Sequence, residues 1–526
     1  MLKYLLMSPF NKFSHEKAML YRLNFFAGMH ILPRHFKLCF YFLILGIVLN
    51  SRAQNFTEKP VLYSDSTANF IELVAFGGPG KRTPFWLQSN QFGTIPRSGP
   101  AIVLRSGFEQ YWKIGAEENR NKNVWRFGMG IEVAGNISEK SNIIFPQLYA
   151  TLRFRKWELV AGRKKQWIGL ADSTLGTGSY ALSGNAMPIP KIQIGTIGFV
   201  NVPFTKGWLS FNGFYSDGFF ENNRPITRGL KLHQKALYLK IGNSNSRVKL
   251  LAGLNHQVQW GGKSPYYTKD GKLPDGFKNY LDAVTAKAYP VSDGLTPFDY
   301  NNRIGNHLGT IDLGMQYVGY EYSWFLYRQN IYEDGSLFRF ENIKDGLNGL
   351  SIKKRNSYGA DFEIRAFVFE FLFTKNQGGS IWDLATILGR DNYFNNGQVR
   401  DGWSYFDRTI GTPFITPTSE TNWKWPNLAD SFTSNNRVSV FHTGLSGTLF
   451  QKIEWSGKFS YSSNIGTYDE PFLKKPTQFS GIFSVQKKMN VMGGIQCRLS
   501  FAMDHGQLYA NTNAFSVGFQ KNLSAR

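Results

Sequence analysis

Hydrophobic and polar residues alternate along much of this chain. Residues 148–154 read LYATLRF, which places two leucines, an alanine and a phenylalanine on one face and Tyr, Thr and Arg on the other. The same period of two returns in residues 208–215, 236–241 and 508–520. A two-residue period is typical of a β-strand whose faces meet two different environments. The pattern therefore predicts amphipathic strands that continue to the end of the chain.

The first fifty residues break this pattern. Residues 38–49 read LCFYFLILGIVL, an apolar run with basic residues before it and the sequence SRA after it. The run is too short to cross a bilayer as a helix, and it resembles the apolar part of a signal peptide more than a membrane anchor or a buried helix. We predict a signal peptide over 1–53. Met29 would begin a signal of ordinary length, so residues 1–28 can come from a start codon placed too early.

Composition helps to choose between a membrane barrel and a soluble, secreted β-protein. No later segment approaches the uninterrupted apolar length of a membrane-spanning helix. Aromatic residues make up 16% of the chain and there are 53 glycines, yet the mean hydropathy is only −0.30. A polar lumen behind an aromatic, lipid-facing wall produces this mixture. We predict an all-β fold, in which residues 54–526 form one antiparallel transmembrane β-barrel of the outer membrane with about eighteen strands.

Three connections in this barrel exceed the length of a tight turn. They are residues 166–190, 261–305 and 375–436. Outer-membrane barrels carry long loops on the outside of the cell and short turns in the periplasm. We therefore expect a ligand to be met by these three loops.

The third long connection has the side chains that carbohydrate binding requires. Sugars need flat apolar faces for their C–H groups and planar amide, carboxylate or guanidinium groups for their hydroxyls. Trp403 and Tyr405 supply the first kind, and Asp391, Asn392 and Arg408 supply the second. The alternative is that these aromatics pack the loops against each other or belong to the interfacial girdle.

The connection 166–190 reads QWIGLADSTLGTGSYALSGNAMPIP. Here the chain resembles the Wzi capsule-assembly family, whose segment has a Trp-Gly-like start, a Gly-Ser-aliphatic run and then Ser-Asn-Asn-Ala-Arg-Pro-X-Pro. Trp167 and Asn185 match this pattern. Gly184 and Met187 depart from it, since Asn and Arg are common there, and the second change removes a possible sugar-contacting cation.

The resemblance continues in short motifs over residues 70–520, nearly the whole mature chain. It implies an eighteen-stranded outer-membrane barrel that acts as a surface lectin and helps to anchor capsular polysaccharide. Studied enterobacterial members plug the barrel with a periplasmic helical bundle, but residues 54–100 show no helical period, so we do not expect that plug. The motifs include PFWL at 84–87, HQVQWGG at 256–262, TKNQGG at 374–379, DNYF at 391–394 and GWSY at 402–405.

Enzymatic and metal-binding functions have little support. Glu333 and Asp334 are adjacent, so on a strand they point to opposite faces and cannot form a hydrolytic pair. His256, His307 and His442 are far apart in the sequence without the spacing of metal ligands, and each is expected to be a hydrogen-bonded loop or lumen histidine. We predict no enzyme activity, no cofactor and no metal.

The charge narrows the class of partner. The net charge is +23, and for an exported barrel the available anions are acidic glycans and lipid phosphates rather than nucleic acid. We predict a monomer that binds capsular or exported polysaccharide and outer-membrane lipid. Candidate polysaccharide-binding residues are Trp167, Asn185, His256, Trp260, Lys375, Gln377, Asp391, Asn392, Trp403, Tyr405 and Arg408.

Two other functions stay open at this point. One is a porin-like channel for sugars or anions, and the other is a secreted enzyme that degrades polysaccharide. An open lumen would favour the porin. A lumen filled by inward loops, with Trp and Arg exposed at the surface, would favour the lectin.

Overall fold

A computed structural model describes residues 63–64, 69–114, 124–287, 303–381, 389–423, 431–491 and 493–523. The predicted signal peptide over 1–53 lies outside the described residues. No helix among the described residues is long and apolar enough to cross a membrane.

Eighteen antiparallel strands within the described residues form one closed barrel. The first strand pairs with both the second and the last, since Leu73 lies opposite Leu104 on one side and Phe519 on the other. Closure leaves no strand edge with unpaired backbone groups. The predicted β-barrel of about eighteen strands is confirmed. The strands are β1 (Phe70–Gly77), β2 (Ala101–Ile114), β3 (Trp125–Ile137), β4 (Asn142–Phe154), β5 (Trp157–Arg163), β6 (Lys191–Thr196, continued along β7 by Val200–Asn201), β7 (Leu209–Phe219), β8 (Lys231–Ile241), β9 (Val248–Trp260), β10 (Asn306–Val318), β11 (Tyr322–Glu333), β12 (Gly346–Lys354), β13 (Phe362–Phe373), β14 (Val438–Leu449), β15 (Ile453–Asn464), β16 (Thr477–Met489), β17 (Ile495–Gly506) and β18 (Thr512–Asn522).

The two-residue period separates an apolar outside from a filled inside. On β18, Phe515, Val517 and Phe519 point outward and are 68%, 38% and 42% exposed, whereas Ala514 and Ser516 point inward and are buried. The outward face of β18 therefore carries the three residues that the sequence pattern places there.

All long connections lie at one end of the barrel. Strand β1 begins and β18 ends at the opposite end, where short turns such as 155–156, 242–247 and 450–452 join neighbouring strands. We call these the loop end and the turn end. The three long connections that the sequence indicates, together with residues 78–100, all join strands at the loop end.

Three loops fold inward and fill the lumen, and we call them the plug. They are residues 78–100, which contain helix α1 (Phe85–Gln88), residues 164–190, and residues 389–436 as far as they are described. Backbone hydrogen bonds join them, from Phe92 N to Gly184 O at 2.7 Å and from Thr412 N to Tyr180 O at 2.9 Å. The plug is therefore one packed unit.

The barrel wall holds the plug through buried polar contacts. Asp312 on β10 accepts a 2.7 Å hydrogen bond from Leu170 N. Glu132 on β3 is fully buried and pairs with Lys165 of the plug at 2.7 Å and with Arg105 of β2 at 3.1 Å. Buried charges need such pairing, because an isolated charge in a water-poor interior is very costly.

The first plug loop is fastened where the barrel closes. Phe85 N donates a 2.9 Å hydrogen bond to the Asp504 carboxylate of β17, and the Arg82 guanidinium pairs with the same carboxylate. The Thr512 hydroxyl of β18 donates to Arg82 O at 3.0 Å. Residues near the start of the barrel are thus joined to its last two strands.

Candidate functional site

The predicted sugar-stacking aromatics lie inside the plug. Trp403 is 0% exposed, and its Nε1 donates a 2.8 Å hydrogen bond to Ala181 O. Tyr405 is 1% exposed, and its hydroxyl accepts a 2.9 Å hydrogen bond from Arg163. A sugar ring needs an accessible aromatic face, so the predicted stacking role of these two residues is wrong for this structure. The alternative interpretation, in which the aromatics pack loops together, describes their surroundings.

Three predicted amide residues also bond one segment to another. The Asn185 side chain donates to Thr409 O at 2.9 Å, and that of Gln377 donates to Asn436 O at 3.3 Å. Asn392 Oδ1 accepts a 2.5 Å hydrogen bond from the Asn436 side chain. These contacts satisfy amide groups in the interior and fix the loop backbone.

Two more predicted residues stand at the border of the plug. The Arg408 guanidinium donates to Ile95 O at 2.6 Å and to Gln88 Oε1 at 3.3 Å, so it ties residues 389–436 to residues 78–100. Trp167 is half-buried, with its ring against that of Phe92 at a centroid distance of 4.8 Å. Both side chains hold loops together in this structure.

Asp391 is a partly buried carboxylate of the plug. Its Oδ2 accepts a 2.6 Å hydrogen bond from the Asn342 side chain. Burial, and to a smaller extent the nearby Asp334, raises the pKa of Asp391 to about 7. Because this pKa exceeds the ordinary carboxyl value of about 4, the folded loop favours the protonated acid, and its stability falls as the pH rises from about 4 to about 7 and is constant above that.

We expect proteolysis of residues 389–436 in the refolded protein to be several-fold faster at about pH 7 than at about pH 5, because ionisation of Asp391 lowers the stability of the loop over this range. Asp391→Asn removes this titrating group and should reduce the dependence. Asp407→Asn is the matched control, because Asp407 is an exposed carboxylate of the same loop. Equal pH dependence in the parent and Asp391→Asn would contradict the prediction.

His256 and Trp260 lie on the outside of the barrel. Both occupy outward positions of β9, yet they are only 5% and 8% exposed because residues after β9 fold over them. His256 Nε2 lies 2.9 Å from His307 Nδ1 on β10. The expectation that the histidines are loop or lumen residues, far from one another, is therefore wrong for this pair. Strand pairing brings residues 51 positions apart into contact.

Lys375 lies in a group of cations at the loop end. The Arg437 guanidinium packs 3.6 Å from the centroid of the Tyr468 ring, and its Nε donates to Lys375 O at 3.2 Å. Lys475 is exposed in the neighbouring loop and lowers the pKa of Lys375, after the larger effect of burial. We call Lys375, Arg437, Lys475 and Tyr468 the cationic cluster.

The cationic cluster has free positive charge. Among the described residues, none forms an ion pair with Lys375, Arg437 or Lys475. The carboxylate of Asp345 affects Arg437, but it already accepts hydrogen bonds from Gln377 N at 2.6 Å and from the Tyr393 hydroxyl at 2.8 Å. An anionic ligand at the mouth of the barrel can therefore find unpaired cations here.

An aromatic pair joins the loop that carries Lys475 to the plug. Phe472 stacks on Trp423 with ring centroids 4.5 Å apart, and both rings are half-buried. Phe472 N donates to Ile465 O at 3.1 Å, which holds the loop 465–476 in a compact turn. Sequence reasoning missed this loop because it is shorter than the three long connections. Its sequence YDEPFLKKP, which has two aromatics and adjacent lysines, is the signal that could have found it.

Glu333 and Asp334, which the sequence analysis excludes as a hydrolytic pair, accept hydrogen bonds from different parts of the structure. Glu333 accepts 3.1 Å hydrogen bonds from the Tyr180 hydroxyl and Phe394 N inside the plug. Asp334 accepts from His307 N at 3.2 Å. Within the described ranges, no group of three or more His, Cys, Asp or Glu residues could hold a metal ion.

Solved structures resemble this fold. Wzi, an outer-membrane protein involved in group 1 capsule assembly in Escherichia coli and described as a carbohydrate-binding β-barrel, has 14% sequence identity and a TM-score of 0.53, with 87% of this chain and 85% of that chain covered. OccAB4 of Acinetobacter baumannii has 7% identity and a TM-score of 0.42, with coverage of 87% and 99%. OccK3 of Pseudomonas aeruginosa has 8% identity and a TM-score of 0.39, with coverage of 86% and 94%.

Sequence comparison gives the family. No curated protein matches the chain. A family model described as capsule assembly protein Wzi matches residues 90–422, well over half of the chain. The matched region covers the strands β2 to β13 and most of the plug. The chain therefore belongs to the Wzi capsule-assembly family.

Proposed function

We propose that this protein is a non-enzymatic outer-membrane barrel, exported by an N-terminal signal peptide, that binds polysaccharide at the cell surface and helps to anchor it as a capsule. The loop end faces outward, and the protein acts as a monomer. The single observation that carries the proposal is the combination of a filled lumen with unpaired cations and aromatic rings at its mouth.

The filled lumen argues against the porin alternative. A channel for sugars needs a continuous water-filled path, whereas here Trp403, Tyr180 and Tyr393 are completely buried among plug loops. The same packing supports a binding role, because a rigid plug gives surface side chains a fixed position. Pre-organised side chains lose less freedom when a ligand binds.

The cationic cluster suits an acidic polysaccharide. Guanidinium and ammonium groups bind sugar carboxylates through charge-assisted hydrogen bonds, and the Tyr468, Phe472 and Trp423 rings offer apolar surface beside them. Of the residues that the sequence nominates, Lys375 is the one we retain at this surface. Many weak sites along a polymer add up through avidity.

We expect the double variant Arg437→Ala, Lys475→Ala to bind polygalacturonate about tenfold more weakly than the parent, because ion pairs at an exposed surface contribute up to about 1 kcal/mol each. The loss should shrink as salt is added, since salt screens exposed charges. Binding is measured with refolded full-length protein in detergent, and dextran serves as a neutral polymer.

Lys113→Ala, Lys452→Ala is the matched control, since it removes the same charge from exposed lysines at the turn end. It should bind polygalacturonate as the parent does. If both double variants lose affinity equally, the attraction is a property of net charge and not of the cationic cluster. If the parent binds neither polymer, the proposal that this chain binds polysaccharide is wrong.

A further inference from the structure

A polar cluster interrupts the apolar outer wall near the loop end. Outward positions of β7 to β10 lower on the wall hold exposed apolar residues, such as Leu237 at 51% and Leu313 at 56%. Above them, the outward residues include Asp217, His233 and His307. His233 Nδ1 lies 2.9 Å from Asp217 Oδ1, and both histidine rings are fully buried. Bare polar groups would be costly against hydrocarbon.

Helix α2 (Phe277–Thr285) covers this polar cluster from outside the barrel. The Tyr280 hydroxyl donates a 2.9 Å hydrogen bond to Asp217 Oδ2, and the Tyr280 ring packs 5.3 Å from that of Trp260. Ala283 is completely buried against Val258. The part of this loop that carries α2 therefore folds down along the outer wall, whereas the Ser264 hydroxyl at its start donates to Gln398 O of the plug at 2.6 Å.

A second face of α2 is exposed and carries two apolar residues. Phe277 is 76% exposed and Leu281 is 47% exposed, and residues four positions apart share one face of a helix. Directly below Asp217 on the wall, Tyr215 is 38% exposed, and its hydroxyl contacts that of Tyr280. The exposed stripe of α2 thus continues the apolar surface that lipid covers in an outer-membrane barrel.

Two exposed lysines flank this stripe. Lys278 follows Phe277, and Lys287 lies two residues after the helix ends. Neither forms an ion pair with another residue in the described part of the chain. A short amphipathic segment with apolar residues beside free lysines is typical of elements that lie in a membrane interface rich in phosphate.

We propose that α2 is an interfacial anchor, in which Phe277 and Leu281 insert into the outer leaflet while Lys278 and Lys287 bind phosphate groups of its lipids. This proposal rests on the outer-membrane location given under the proposed function. Lipid is the occupant favoured here, because the stripe is continuous with the lipid-facing wall and the lysines complement lipid phosphate. The anchor also keeps lipid tails away from the buried polar cluster.

The test uses a nitroxide label on Leu281→Cys in the full chain with Cys39→Ser and Cys497→Ser, reconstituted in vesicles. Reference labels are placed at Leu237→Cys on the apolar wall and at Ser244→Cys in an exposed turn at the turn end. Oxygen concentrates in lipid and a nickel chelate stays in water, so their relaxation effects report depth. The label at 281 should resemble the label at 237 and differ from that at 244.

A second arm tests the phosphate contact. In vesicles of phosphatidylcholine mixed with phosphatidylglycerol, Lys278→Ala and Lys287→Ala are each expected to lower the inserted population of α2 about fivefold, the equivalent of about 1 kcal/mol for one lysine at an anionic surface. In phosphatidylcholine alone, the lysine variants should match the parent. Equal insertion of parent and variants in both vesicles would overturn the lysine role.

Two results would overturn the anchor. One is a label at 281 that is as accessible to the nickel chelate as the label at 244. The other is dipolar broadening between labels at 281, which would place a second copy of the chain on this face. Polygalacturonate binding by the lysine variants should equal that of the parent. If the parent shows insertion but no polygalacturonate binding, the proposed function fails and the anchor stands.

Discussion

Trp403→Ala should destabilise the folded plug by about 3–5 kcal/mol, the range for a buried aromatic replaced by alanine. The indole is 0% exposed and bonds Ala181 O at 2.8 Å, so the variant loses packing and leaves that carbonyl without its donor. The strand ladders of the barrel do not include Trp403. We therefore expect the barrel to persist while residues 389–436 become open to protease and ions pass through the lumen.

Three measurements on the refolded protein check this result. They are heat-modifiable migration, proteolysis of the loops, and conductance in planar bilayers. Phe406→Ala is the matched control, because Phe406 lies three residues away and is 43% exposed. Protease resistance and conductance equal to those of the parent would show that Trp403 does not hold the plug closed.

Glu132→Gln has the second large expected effect. The change keeps the shape of the side chain but removes the buried carboxylate that pairs with Lys165 and Arg105, of which Arg105 keeps its second partner Glu72 at 2.9 Å. Breaking a buried ion pair from one side typically costs about 3–5 kcal/mol, since the remaining charge is uncompensated. The urea midpoint of plug unfolding should therefore fall well below that of the parent.

Lys165→Met is the matched comparison for that variant. It removes one cation and leaves the Glu132 carboxylate with Arg105 at 3.1 Å, so no charge is left alone. We expect a smaller decrease in the urea midpoint than for Glu132→Gln. A larger decrease in the urea midpoint for Lys165→Met than for Glu132→Gln would contradict this role of the Glu132 carboxylate.

The barrel could be predicted because apolar and polar residues alternate within each strand, which shows that its two faces meet different environments. Phe515, Val517 and Phe519 alternate with small or polar residues, and this local period needs no knowledge of distant residues. Closure follows from the same pattern, since an open sheet edge is not tolerated in lipid. The fold could therefore be inferred from local sequence.

The candidate site could not be predicted from local sequence, because it depends on how distant loops pack together. Composition cannot distinguish an aromatic that faces water from one that faces another loop, and Trp403 is of the second kind. His256 and Trp260 were misplaced because the loop that covers them follows later in the chain. Lys375 is a candidate from the sequence, but its neighbour Arg437 lies 62 positions away and meets it only in the folded barrel.

Asp504 has a consequence for the order of assembly. It lies on β17 and bonds Phe85 and Arg82, which belong to the loop directly after β1. The last hairpin of the barrel, β17 and β18, thus contacts the first part of the barrel in two ways. Strand β18 pairs with β1, and Asp504 on β17 bonds the first plug loop. We therefore expect β1 to pair with β18 and the loop 78–100 to dock in a single late step. Until then an assembling chain has a gap in its wall and an incompletely filled interior at the same place.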